Sequence, residues 1–290
     1  LSIKRWLRKD SSAALMFLVP SGIGFSLFYI IPFAMGAYYS FMDSSIDSQF
    51  VGLDNYRELL ASESFHKAAS NSFNFTAVSV PVMLALSLGL AMLLNQNVYI
   101  RSWLRTAYVL PLVVPVASII LIWQILLDWN GSLNAWLSYF GFERVDWMKT
   151  DAARTVLIVV YLWKNVGYNI ILFLAGLQQI PKDYYETAQI EGAGRFRQFG
   201  NITLVYLTPT MFFVIIMSIL NSFKVFRETY LIAGDYPHDS IYMLQHYMNN
   251  MFMSLDIQKL TAAATIMVGC ILLIVSVLFM LERRFRQFME

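Results

Sequence analysis

The residues of this chain best suited to chemistry sit where lipid would tolerate them least. Lys164 interrupts an otherwise uncharged run over residues 155–181, within Trp163-Lys164-Asn165-Val166-Gly167-Tyr168-Asn169. An ammonium at the centre of a membrane helix costs roughly 2.5–3.5 kcal/mol on insertion scales, so such a group normally faces a cavity. Lys164 and Tyr168 are four apart and share a helical face. Trp163 and Tyr168 can offer flat faces to a pyranose-like ring while the Asn165 amide hydrogen-bonds its hydroxyls. A second polar group, Asn221-Ser222-Phe223-Lys224-Val225-Phe226-Arg227-Glu228, closes the next apolar run. This is chemistry of binding, with no bond-making group in it. Plainer roles compete: Lys164 can snorkel or pair with another subunit, and Asn221 and Ser222 can hydrogen-bond between helices.

The other informative stretch is the polar loop 182–201. Pro181 ends the preceding helix, Asp183 is placed to cap a new one, and Glu186 three residues later completes a capping box. Tyr184, Ala188 and Ile190 supply its apolar side chains. Gly192 falls where a left-handed residue ends a helix, and a second helix leads into Ile202. A short helix, a glycine and a second helix, joined directly to two spans, can transmit a push.

Other chemistries find no support. No Gly-Lys pair occurs anywhere, so the chain lacks the P-loop that cradles phosphates. Gly192-Ala193-Gly194 follows no strand, which removes a dinucleotide fingerprint. His66, His238 and His246 lack paired ligand spacing, so no metal site is expected. A lone Cys270 forms no intrachain disulfide. No catalytic residue is expected, and a membrane-embedded enzyme would need convergent acids, His or Cys near an interface.

The elements that position these residues follow from composition. The 290 residues are 58% hydrophobic and 14% charged, against about a quarter charged in soluble domains. Six apolar runs each exceed the roughly 20 residues a helix needs to span the hydrocarbon core. We place spans at residues 13–41, 73–95, 104–127, 155–178, 203–223 and 260–281, in one transmembrane domain over 1–290. Lipid requires such spans to be helical. The first run is too long for a signal peptide and reads as a retained helix. With both termini inside, inner segments hold 12 cations, Lys4, Arg5, Arg8 and Lys9 among them, against six acids including Glu290. Outer segments hold 8 cations and 13 acids, as the positive-inside rule favours. All 19 acids then fall outside the spans, which argues against the alternative of a proton-coupled secondary transporter, since those place acids in the membrane as relays. Charge sorted by membrane side gives no reason to expect nucleic acid as a partner. Of the outer segments, the first carries a turn at 51–56 and then a short surface helix. The second seats Trp129, Trp136 and Trp147 at the interface. In the third, residues 240–254 lie along the surface or dip inward.

The loop resembles the EAA loop of ATP-binding-cassette importer membrane subunits, E-A-A-x-x-x-G followed ten residues later by I-x-L-P. Glu186, Ala188, Gly192, Ile202 and Leu204 match, Thr187 replaces the second-position Ala, and Val205 stands where Pro is usual. Residues 51–60, 105–137 and 161–192 look like the carbohydrate-uptake branch, that of the maltose and glycerol-phosphate importers, so the resemblance covers nearly the whole chain. It implies an all-α, six-helix type I importer permease of the bacterial cytoplasmic (inner) membrane, with a cytoplasmic coupling helix. It implies Glu186, Ala188 and Gly192 as ATPase-coupling residues, and Lys164, Asn165, Tyr168, Asn221, Ser222 and Lys224 as positions matching the sugar-contacting stretch. The implied partners are a second homologous permease subunit, two ATPase subunits carrying ATP and Mg, an extracytoplasmic solute-binding protein, the sugar and membrane lipid. No cofactor belongs to this chain itself.

Overall fold

The computed structural model describes residues 10–43, 49–96 and 101–287. Lys4, Arg5, Arg8, Lys9 and Glu290, which enter the orientation argument, lie outside them. One isolated bridge, Met42 with Phe50, is the single β feature among the described residues; otherwise helices alternate with turns. Among the described residues, six helical stretches are long and apolar enough to cross a membrane: Met16–Tyr39, Glu63–Asn95, Val116–Tyr139, Ala152–Gln178, Arg195–Ala233 and Ile257–Phe285.

The described residues divide into two compact units. The smaller draws on Leu1–Ser62 and Met251–Val268. It holds α1 (Asp10–Phe25), a π-helical turn (Ser26–Ile30), α2 (Ile31–Tyr39) and α3 (Asp54–Ala61). Phe17, Phe28 and Tyr29 are exposed along the first span, as expected of a helix with lipid for solvent. Its C-terminal end is fixed to α3 by polar contacts: Asn55 Nδ2 donates to the Ser40 and Met42 carbonyls at 2.9 and 2.8 Å. The Ser40 and Tyr56 hydroxyls meet at 2.6 Å.

The larger unit comprises Glu63–Asn250 and Gly269–Glu290. Its helices are α4 (Glu63–Asn95), α5 (Arg101–Val113), α6 (Val116–Leu127), α7 (Ser132–Tyr139), α8 (Ala152–Gln178), α9 (Lys182–Ile190), α10 (Arg195–Gln198), α11 (Leu204–Phe223) and α12 (Phe226–Ala233). α13 (Leu244–Met253) and α14 (Ile257–Gln287) follow, each running through the boundary between units. α8 is the centre of packing. Its buried Leu157, Tyr161, Ile170, Phe173 and Leu177 recur at helical spacing and pack with Phe75 and Met83 of α4 and Leu207 and Val214 of α11. Two glycines let neighbours approach the α8 backbone. A Cβ on Gly167 would stand 1.8 Å from the Tyr108 carbonyl oxygen of α5, and one on Gly176 would stand 2.7 Å from Thr210 Oγ1 of α11.

The expected third span, 104–127, is not continuous. α5 ends at Val113 and α6 starts at Val116, with Pro115 extended at φ −55°, ψ 135°. Proline lacks an N–H, and its ring collides with the carbonyl four residues back, here that of Pro111. The second helix also starts earlier than the apolar run, at Glu63 in place of residue 73.

The stretch after α12 is packed into the larger unit. Ser240, Ile241, Met243, Leu244, His246 and Tyr247 are buried. Asn71 of α4 holds it there, donating through Nδ2 to the Asp239 and Tyr242 carbonyls at 2.6 and 3.1 Å, and the Leu244 N–H donates to Ser72 Oγ at 2.8 Å. His246 Nδ1 accepts from the Met243 N–H at 3.4 Å, and its ring meets Phe226 edge-on at 4.7 Å. Burial pushes its pKa down to about 4, against a smaller upward pull from Asp235. The unfolded chain takes up a proton from about pH 6.5, whereas the folded chain resists until about pH 4, so stability falls as pH drops through that window. Between pH 7.5 and pH 5 the protein should lose about 2 kcal/mol that a His246→Gln variant does not lose. Thermal unfolding of both in detergent across that range measures it. Parallel pH curves would rule it out.

Candidate functional site

The hairpin between α8 and α11 is built from its own backbone. Pro181 occupies the extended position at the start of α9, with φ −61° and ψ 136°, and no side chain caps the helix. The expected Asp183 cap is therefore wrong: Asp183 is already inside the first turn, because Pro181 takes the flanking position. There its carboxylate favours the helix dipole without bonding an N–H. Glu186 is exposed one turn on, and Ala188 is half-buried.

The far end of α9 follows the sequence expectation. Gly192 has φ +80°. Its N–H donates to the Gln189 carbonyl at 3.0 Å, and the Ala193 N–H donates to the Ala188 carbonyl at 2.8 Å. This pair of bonds is the Schellman pattern, which satisfies carbonyls that a helix end otherwise leaves open. Gln198 Nε2 then donates to the Ala193 carbonyl at 2.7 Å. A π-helical turn, Phe199–Thr203, joins α10 to α11. The Tyr185 hydroxyl meets Thr203 Oγ1 at 2.9 Å, and the rings of Tyr184 and Tyr206 stand 5.1 Å apart, so α9 is braced against the start of the fifth span. Ile190 and Phe196 nevertheless stand 87% and 95% exposed. Two large apolar side chains presented to solvent on a self-bonded hairpin make a surface ready for a partner.

The polar residues of the spans separate into paired and accessible groups. Lys164 forms an ion pair with Glu228 of α12. Ser222 is buried, donating to the Ile219 carbonyl at 2.7 Å and meeting Thr76 Oγ1 of α4 at 2.8 Å. Asn165 donates to the Tyr161 carbonyl one turn back at 2.8 Å and stays half-buried, as do Tyr168 and Asn221, while Lys224 is exposed. On either side of them along α8, Asn169 Nδ2 donates to Ser218 Oγ at 3.0 Å, and the Tyr161 hydroxyl donates to the Ser218 carbonyl at 2.7 Å, tying α8 to α11. Lys164 and Asn165 thus lie with Tyr168 on α8, and Asn221 and Lys224 at the end of α11.

Glu228 is what sequence reasoning missed. The expectation that every acid lies outside the spans fails here, since Glu228 falls within the helical stretch Arg195–Ala233 and is 5% exposed. Its signal was present: a lysine inside an apolar run needs a counter-charge, and Glu228 lies among Phe226, Tyr230, Leu231 and Ile232.

Membrane-crossing helices, internally paired polar groups and an exposed hairpin between two spans define a membrane-embedded transport component. Residues 82–287 match the binding-protein-dependent transport system inner membrane component family, and the chain belongs to that family. It is 30% identical over 272 residues to the sulfoquinovosyl glycerol transport system permease protein SmoG of Agrobacterium fabrum, covering 91% of this chain and 88% of that one. It is 31% identical over 217 residues to the trehalose/maltose transport system permease protein MalF of Thermococcus litoralis, covering 73% of each. Its fold matches the crystal structure of a bacterial ABC transporter involved in import of the acidic polysaccharide alginate. That match has a TM-score of 0.84 at 23% identity and covers 98% of this chain and 99% of that one.

Proposed function

We propose that this chain is the membrane-spanning permease subunit of an ATP-binding-cassette importer. Its cargo is a sugar or oligosaccharide delivered by an extracytoplasmic binding protein, and ATP with Mg is hydrolysed on a separate ATPase. The observation that carries this reading is the self-capped hairpin Lys182–Ile190 with Gly192, exposed and joined directly to two spans. The names of the relatives, permeases for sugars, support the cargo class. In this reading both termini are cytoplasmic and a second, homologous permease subunit completes the path. Two ATPases seat the hairpins through Glu186, Ala188 and Gly192. Closure of the ATPases draws the hairpins together and alternates access by rigid-body motion. Asn165, Tyr168, Asn221 and Lys224 line the path, with Lys164 held back by Glu228 and Ser222 by Thr76. The comparisons offer nothing in favour of a proton-driven carrier.

Tagged protein purified from its native membrane should bring down a second permease and an ATPase, and the loaded binding protein should stimulate hydrolysis. A lone permease that carries sugar without an ATPase would end this reading.

A further inference from the structure

Lys164 and Glu228 pair between α8 and α12 with side chains 19% and 6% exposed. Only one carboxylate oxygen is used: Glu228 Oε2 is buried and has no hydrogen-bond partner among the described residues. A buried ion pair is weak evidence for stability, because apolar side chains of similar volume often hold a fold as well. α12 is also fastened without it. Gln124 of α6 donates to the Leu231 and Ile232 carbonyls at 2.9 and 3.5 Å, and Trp123 meets Trp163, the residue before Lys164, edge-on at 6.0 Å. What two charges do here that two apolar groups could not is set the electrical character of the α8 segment carrying Asn165 and Tyr168.

We propose that Glu228 is a specificity-determining residue: it cancels the charge of Lys164, so that the α8 wall takes uncharged, hydroxyl-rich sugars over anionic ones. This rests on the reading above that α8 lines the path. Lys164 alone, in a low-dielectric wall, would draw carboxylated or sulfonated sugars. Paired, it presents no net charge, so that pull on anions is lost and the Asn165 and Tyr168 groups beside it are left to meet hydroxyls. Lys224 and Arg227 are exposed, so water and salt screen them. The relatives named above handle both charged and uncharged sugars, so kinship does not choose between them.

The test uses the purified complex, ATPase bound, in lipid nanodiscs without binding protein, titrated with maltotriose and with trigalacturonate. The parent should bind maltotriose more tightly. Glu228→Gln should move the affinity ratio at least about tenfold toward the anion, and Lys164→Gln with Glu228→Gln should bring the ratio back. A role confined to stability would change the yield of complex and leave the ratio alone. A parent that prefers trigalacturonate or binds neither sugar overturns the proposal, as does a Glu228→Gln ratio within about twofold of the parent's or a double variant that stays shifted. If Glu228→Gln does not assemble, the swap Lys164→Glu with Glu228→Lys decides: the parent's ratio is expected, and a shifted ratio overturns the proposal. Absence of an ATPase from the parent complex would instead defeat the functional reading itself, and is scored before any sugar is added.

Discussion

Gly192→Val should strip the ATPase from the purified complex, lowering its co-purified amount at least about tenfold while the subunit still accumulates in the membrane. The reason is conformational. Gly192 sits at φ +80°, and a Cβ there would meet nothing within 4 Å, so no neighbour is struck. An L-residue in the left-handed region costs roughly 1–2 kcal/mol, and a β-branched one tolerates it least. Relief comes by abandoning the turn, which breaks the bonds from the Gly192 and Ala193 N–H groups to the Gln189 and Ala188 carbonyls and re-aims α9 relative to α10. Asparagine visits the left-handed region most readily after glycine, so co-purification should rank Gly, Asn, Ala, Val. Quantitative blotting of the ATPase against the tagged subunit reads the series. Full recovery of the ATPase with Gly192→Val would show that the hairpin's bend does not matter to assembly.

Gly167→Val should have the opposite signature, with the whole subunit lost and not one contact. The added Cβ would lie 1.8 Å from the Tyr108 carbonyl oxygen and 2.5 Å from its carbon, which are backbone and cannot rotate aside. α5 would have to move away from α8 by more than an ångström, opening the packing around Tyr108 and Val166. We expect a loss of at least about 3 kcal/mol, the upper end of overpacking costs, because the obstacle is a helix and not a flexible side chain. Gly89→Ala in α4, where a Cβ meets nothing within 4 Å, is the control; it should be neutral or slightly stabilising, since alanine favours helix by up to about 1 kcal/mol. Membrane yield and thermal unfolding in detergent measure both. A Gly167→Val protein that melts like the parent would contradict the close α5–α8 crossing.

These two glycines mark the limits of what could be read from the sequence. Gly192 was legible because its conformation is local: a helical pattern ending in Gly needs no distant residue to interpret. The six apolar runs were legible for the same reason, since lipid imposes length and composition residue by residue. Gly167 was not, because what it touches lies 59 positions earlier on α5, and a glycine inside a helix does not say what approaches it. The Lys164–Glu228 pair failed likewise: the lysine was visible, but its partner was grouped with the outer segment because the uncharged run ends at Phe223 and Lys224 opens the next stretch. Ser222 was read as a cavity position with bonding between helices as its plainer role, and only the approach of Thr76 shows that the hydroxyl is spent between helices. The third span was read from the length of its apolar run alone, without the Pro115 that divides it. Asp183 was assigned the cap from a sequence pattern, but Pro181, two positions earlier, takes that place by its own geometry.

The way α9 ends has a consequence for assembly. Its last amides and carbonyls close on one another through Gly192 and Ala193 and on Gln198, so the hairpin is finished before anything touches it. A partner that grips it therefore meets a rigid object and loses little chain entropy on contact. Letting go costs the hairpin no shape, and the same surface is ready for the next encounter. On the proposed reading, a complex that comes apart can thus rebuild on this surface without the hairpin refolding.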